Sequence, residues 1–471
     1  MGWRNHPTPA LALSGCALSL LCWAFAHTDR TLAMRPRMLV LFFSAFAVFL
    51  AAVFAIRRAR AELPRHLVWL IVLVGIGLRL AVAPVRPATT SDIYRYLWEG
   101  RVVRAGLNPY AEAPNSPRLA HLRDWVWDVL PFKSVPAAYP PVAQYVFAAA
   151  GLVPGPPVIV LKLMLALFDI GTVLLLVSLF AAMKLPRCWV ILYAWHPLAI
   201  CELVARGHLD TIGIFFMALA LRLLPVARPC ERSEQRRRLL PPTLSAAALT
   251  LSILSKGYAL VIAPFFVIAA RPRRWVFVLA MAATAALVYA PFASAGLDLF
   301  RGAAMYGRGW RGNSSVFALL DIALSPISLH HNVVARAICL VLLVVWVVAL
   351  VGKAMLAPAP KAGIGVPALH ALIGLFLLSP AVYPWYLAWT LPLLCVAIAA
   401  KHTAGDTLLP HVSWLLLTGT IFGFYAHDLA GHHREIWWVT TAEYAVPIAA
   451  AVVGWAWRRA ADRGDPEPPL P

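Results

Sequence analysis

The chain has 471 residues, 61% of them hydrophobic and only 13% charged, with a formal net charge of +20. Soluble domains carry about a quarter charged residues, so a water-soluble enzyme is excluded and a polytopic membrane protein is indicated. The basic surplus does not point to nucleic acid. It sits in short clusters between apolar runs, as the positive-inside rule predicts, with no fold to present it to a groove.

Apolar runs fall near 10–27, 38–56, 66–84, 157–182, 188–205, 209–225, 241–255, 257–270, 274–293, 332–352, 364–380, 385–400, 409–427 and 436–457. At roughly 20 residues per crossing they predict an all-α polytopic bundle of about 12–14 transmembrane helices within 1–460. The Pro-rich segment 461–471 is expected to be a disordered cytoplasmic tail. The first run ends Ala24-Phe25-Ala26, a pattern resembling a signal-peptidase site. Its leading segment holds only Arg4, and the run is long enough to span, so an uncleaved first helix is expected. Seven cysteines show no CxxC or paired spacing, so neither a zinc site nor a disulfide framework is indicated.

The clusters Arg57-Arg58-Ala59-Arg60, Lys184 to Arg187, Arg236-Arg237-Arg238, Arg271-Pro272-Arg273-Arg274 and Arg458-Arg459 are assigned to the cytoplasm. That parity puts loops 85–139, 294–331 and 427–436 outside. It makes the stretch interrupted by Ser255-Lys256-Gly257 two short helices meeting at the outer face. It also requires Tyr139 to Val153 to be re-entrant or interfacial. The loop 28–37, with Arg30, Arg35 and Arg37, fits the outside poorly.

Polar residues collect on the outer face. The first large loop opens Ser91-Asp92-Ile93-Tyr94-Arg95-Tyr96-Leu97-Trp98-Glu99. Tyr94, Leu97 and Trp98 are spaced i, i+3, i+4, and Arg95 and Glu99 i, i+4. This predicts a short amphipathic helix resting on the membrane, with the first three facing lipid. Further on come Arg206-Gly207-His208-Leu209-Asp210, Lys256-Gly257-Tyr258, the segment from Tyr306 through Arg308, Trp310 and Arg311 to Asn313, and Tyr383-Pro384-Trp385-Tyr386. Asp169, Glu202 and Lys162 lie inside spans and read as interhelical polar contacts. The spacing of His427, Asp428, His432 and His433 matches no standard metal site, so no metal is expected.

One chemistry accommodates these pieces. Inverting transfer of a sugar from a lipid phosphate needs a carboxylate to take the acceptor proton. It also needs cations where negative charge develops on the departing phosphate. Asp92 is the candidate base, its bland alternative being a helix N-cap. Lys256, Arg308, Arg311 and Arg95 are candidates for donor phosphate. His208, Asp210, Trp310, Asn313, Tyr383, Trp385 and Tyr386 are candidates for sugar or acceptor binding.

At these residues the chain resembles bacterial GT-C glycosyltransferases, particularly polyprenyl-phosphate-mannose-dependent mannosyltransferases. The resemblance rests on Ser91 to Tyr96 with Gly106-Leu107-Asn108-Pro109-Tyr110, then Tyr139-Pro140-Pro141, Gly207 to Asp210, Lys256-Gly257-Tyr258, Trp310 to Asn313 and Pro384-Trp385-Tyr386, in chain order. It implies a GT-C bundle and a polyprenyl-phosphate sugar donor, most often mannose. It further implies a glycolipid or glycan acceptor at the external face of the cytoplasmic (inner) membrane, and Asp92 as base. No cofactor is implied beyond the donor substrate, and no GxGxxG nucleotide motif is present. The chain has Tyr383 where the family often has His. The alternative reading is a transporter or flippase of lipid-linked sugars without transferase activity. A secondary transporter would place its ionisable groups mid-membrane between repeated halves, and a flippase would use the basic and aromatic groups without needing Asp92.

Overall fold

The computed structural model describes residues 7–28, 34–59, 63–87, 91–224, 240–356, 364–404, 409–430 and 436–463. Among these the fold is all-helical, with one isolated backbone bridge between Gly312 and Ala381.

The N-terminal part packs α1 (Thr8–Ala26), α2 (Arg35–Arg58) and α3 (Arg65–Val82) side by side. After α4 (Asp92–Arg104) and α5 (Trp125–Asp128) come α6 (Pro141–Ala150) and the long α7 (Pro157–Met183). A broken element follows, in which Arg187–Ala194, ending in α8 (Ile191–Ala194), meets a π-helical turn, Ala199–Ala205, at a 57° bend. Next are α9 (Asp210–Leu223), α10 (Leu240–Lys256), α11 (Ala263–Ala269), α12 (Arg274–Tyr289), α13 (Arg301–Gly309) and α14 (Val316–Leu324). The C-terminal part holds α15 (His331–Leu356), α16 (Gly365–Leu378), α17 (Leu391–Thr403), α18 (Leu409–Thr420) and α19 (Trp437–Arg463).

Eight helices among the described residues are long and apolar enough to cross a membrane, or nine if the bent element is one span. The sequence predicts about 12–14 crossings. The difference lies in apolar runs that fold as shorter helices, such as α9 with 14 residues and α16 with 14. At 1.5 Å per residue each is about 21 Å long, short of a hydrocarbon core of about 30 Å. The 139–153 segment behaves as charge parity required: α6 has 10 residues, too few to cross. Helix α19 extends through Arg463, so residues 461–463 belong to it, while the rest of the expected tail lies outside the described residues.

The expectation for α4 needs correction. It does not lie on the membrane with Tyr94, Leu97 and Trp98 facing lipid. Ile93, Tyr96, Leu97, Trp98 and Val102 are buried in a second core with Val142 and Phe147 of α6, Leu161 and Leu165 of α7, and Leu209 and Ile212 near the start of α9. Tyr94 is half-buried against Trp125. An i, i+3, i+4 apolar stripe specifies a buried face without saying whether lipid or protein covers it. Here protein covers it, and α4 is clamped over the ends of α7 and α9.

A buried network fixes the loop above. Arg95 donates to Glu99 at 2.6 Å and to the carbonyls of Phe132 and Val135, and Gln144 of α6 donates to Glu99 at 2.6 Å. Inside the bundle Asp169 accepts from Arg79 and Tyr193, and Lys162 donates to the carbonyls of Val82 and Val85. These are the interhelical contacts expected of them. Arg35 lies over Tyr425, whose hydroxyl donates to Glu202, so the start of α2 sits at the same end as Glu202 and His208.

Candidate functional site

The π-helical turn, the start of α9 and the end of α10 meet near the start of α4. Asp92 is the first residue of that helix, and the N-cap position belongs to Ser91, whose side chain makes no cap bond. The bland N-cap reading of Asp92 is therefore not what the structure shows. Its side chain is 32% exposed, beside the fully buried His208, whose Nδ1 lies 4.0 Å from Asp92 Oδ2. On the far side of the imidazole, Nε2 lies 3.4 Å from Glu202 Oε2. Neither ring nitrogen makes a hydrogen bond among the described residues.

Glu202 sits on the π-helical turn, an irregularity common at functional sites. It accepts from Arg206 at 2.5 Å and from the Tyr425 hydroxyl at 3.1 Å. The guanidinium of Arg206 also lies 3.9 Å from the centre of the Tyr425 ring. Glu202 is thus an interhelical contact, as expected, and additionally the wall behind His208.

His208 is held flat. Its ring stacks on Trp385 with centroids 4.0 Å apart, and Trp385 stacks on Tyr383 at 4.9 Å. Three rings therefore line up behind Asp92. His208 and Asp210, read from the sequence as a polar junction between two spans, are both fully buried in the protein.

Asp210 opens α9 and faces the end of α10. Lys256 donates to both its oxygens, at 3.0 and 2.7 Å, and the Trp389 indole donates to it at 2.7 Å. Lys256 arrives there because Gly257 stops α10 with φ of 89°, a left-handed conformation that glycine adopts without strain. The ammonium also lies 4.5 Å from the Tyr386 ring centre. Trp389 was not a sequence candidate. Its seat depends on Gly213, where an added Cβ would come within 2.1 Å of the indole.

Buried tyrosines surround the two carboxylates. Burial, then the charge of Asp92, holds the Tyr139 hydroxyl well above its ordinary range, so it stays protonated. Burial does the same to Tyr96, which also feels Tyr139, Asp92 and Asp210. The hydroxyls of Tyr306 and Tyr386 are 2.5 Å apart, and Trp310 packs between Tyr306 and Phe132. Tyr96, Tyr139 and Tyr306 lie in segments quoted from the sequence but were not singled out.

The remaining candidates are placed differently. Arg95 is occupied by Glu99 and loop carbonyls. Arg311 donates to Asp321 at 2.6 Å, which His331 also approaches. Arg308 is exposed at the end of α13 and makes no ion pair among the described residues. Asn313 is buried with φ of 53° and faces α19, where Thr440 donates to its side chain and Tyr444 to its carbonyl. His427 accepts from the Ile436 amide, while His432 and His433 lie outside the described residues. No group of three or more metal-ligating side chains occurs among the described residues.

Residues 10–272 match the family described as alpha-(1->6)-mannopyranosyltransferase, N-terminal domain. The match covers more than half of the chain, including Asp92, His208, Asp210 and Lys256. The chain belongs to this mannosyltransferase family. It is a glycosyltransferase, in agreement with the GT-C resemblance of its polar segments. Curated proteins provide no match. Among solved structures it is similar to ArnT from Cupriavidus metallidurans bound to undecaprenyl phosphate, at 14% identity and a TM-score of 0.47, over 85% of this chain and 80% of that one. The family match ends before Tyr306, Tyr383, Trp385 and Trp389, so the second half of the site rests on geometry alone.

Proposed function

We propose that this mannosyltransferase moves mannose, with inversion, from a polyprenyl-phosphate donor to a hydroxyl of an envelope glycolipid or glycan on the external face of the cytoplasmic membrane. The observation that carries the reading is the pairing of two carboxylates in unlike settings. Asp92 is a third exposed beside an imidazole, while Asp210 is sealed around an ammonium and an indole.

In this reading the acceptor oxygen attacks the sugar C1 as its proton passes to Asp92, and the bond from C1 to the phosphate oxygen breaks. The phosphate leaves with one more negative charge than it carried as a diester. Lys256 meets that charge: its ammonium has three N–H donors, two directed to Asp210, leaving one for phosphate. Arg308 adds an exposed cation from α13. Arg95 and Arg311 act indirectly, Arg95 by holding the 132–135 backbone and Arg311 through Asp321. His208, backed by Glu202, positions the Asp92 carboxylate. Trp385 contributes by holding that imidazole flat, and Tyr386 through its hydroxyl contact with Tyr306. The half-buried Tyr383 and Trp310 supply faces for sugar and prenyl chain. Asn313 acts indirectly, by tying the 310–313 segment to α19.

The donor is tested with purified protein, membrane extract as acceptor, and radiolabelled mannose presented either on polyprenyl phosphate or on a nucleotide. Transfer from the lipid donor alone supports the reading. Transfer from the nucleotide sugar overturns it. Donor binding without transfer favours a lipid-linked sugar transporter.

A further inference from the structure

The end of the bundle remote from Asp92 carries a pocket, between the start of α3 and the end of α7. Helix α3 runs 18 residues from Arg65 at this pocket toward Asp92, a separation of about 27 Å along its axis. The cavity has a volume of about 320 Å³ and is walled by Val68, Trp69 and Val177, with Arg65, Lys184 and Arg187 around it.

We propose that this pocket binds the anionic headgroup of a membrane phospholipid. Three cations share one small cavity, and its described lining includes no carboxylate. None of the three makes a side-chain hydrogen bond or ion pair among the described residues. Glu62, the acidic residue nearest in sequence, lies outside those residues. Arg65 stands at the N-terminus of α3, where the helix dipole already disfavours a cation and the first turn has no acidic residue. Lys184 occupies a left-handed position, φ 56° and ψ 37°, at the end of α7, where glycine would be unstrained. An anion in the cavity offsets the electrostatic conflicts: the three cations unpaired among the described residues and the basic residue at the positive end of α3.

The surroundings select a lipid over a free phosphate. From the pocket an apolar stripe of α3 runs outward along the bundle, with Trp69, Leu73 and Leu80 each at least half exposed. Leu167 and Leu174 of α7 are also exposed. These surfaces fit acyl chains, and a Trp beside a basic cluster is the usual composition of a membrane interface. The pocket is independent of the sugar-transfer reading, and its failure would leave that reading untouched.

The test uses the full chain in neutral detergent, following thermal unfolding while adding phosphatidylglycerol, phosphatidylcholine or glycerol phosphate. Phosphatidylglycerol is expected to raise Tm, and the other two are not. Replacing Lys184 by Gly relieves the backbone position, so the variant should unfold no earlier than wild type without lipid. Its half-saturating phosphatidylglycerol concentration should nonetheless rise about five-fold. The triple variant R65Q/K184Q/R187Q should weaken the response about a hundred-fold by the same arithmetic. Stabilisation by phosphatidylcholine to the same degree overturns the proposal, as does stabilisation by glycerol phosphate alone. An unchanged phosphatidylglycerol response in Lys184→Gly and the triple variant overturns it as well.

Discussion

Lys256 and Asp210 form a two-pronged ion pair, 2.7 and 3.0 Å, at the meeting of α10 and α9, with the carboxylate fully buried. Removing one partner of a buried pair leaves the other charge uncompensated, at a cost of about 3–5 kcal/mol. Asp210→Asn should therefore unfold at markedly lower temperature than wild type. The double variant D210N/K256Q should regain most of that stability but not the transferase rate, because the phosphate-facing ammonium is gone. Melting curves and rates on the same preparations check both halves.

Trp389 reaches Asp210 only because position 213 has no side chain. Gly213→Ala would push the indole away, at about 1–3 kcal/mol for overpacking, and break its bond to Asp210. The expected outcome is a lowered Tm together with a reduced kcat. A variant that keeps both would mean that Trp389 does not position Asp210.

His208 lies between Asp92 and Glu202 with Trp385 flat against it. If it positions the base, His208→Asn should lower kcat by about ten-fold or more with little change in donor KM, the signature of an interaction made in the transition state. A rise in KM at constant kcat would instead assign His208 to sugar binding.

Asp124 offers a pH test away from the chemistry. It caps α5 by accepting from the Val126 amide at 3.0 Å and receives Arg101 at 2.6 Å. Burial pushes its carboxyl up, but Arg101 and the Val126 and Trp127 amides outweigh that and hold it below its ordinary 3.8. A depressed carboxyl stabilises the fold above the unfolded-state value, and the contribution disappears as pH falls through the folded value. The stability gap between wild type and Asp124→Asn should be constant near neutrality. It should close progressively below about pH 4, as followed by unfolding across a pH series.

Much of the site could be read along the chain, for local reasons. The break at Ser255-Lys256-Gly257, the non-crossing 139–153 segment and the polar start of α4 are all set by nearby residues and charge parity. What could not be read depends on distant partners. Asp210 meets Lys256 across 46 positions and Trp389 across 179. The ring stack of His208, Trp385 and Tyr383 has no local signal. The stripe on α4 was visible, but lipid and protein ask for the same spacing, so its cover could be learned only from the packing.

The account turns on Asp92 as the group that takes the acceptor proton. The most direct measurement is the transfer rate of purified Asp92→Asn with polyprenyl-phosphate mannose, beside its donor affinity. Loss of transfer by about 100- to 10,000-fold, with donor binding retained, is the predicted result. Transfer at the wild-type rate would contradict it.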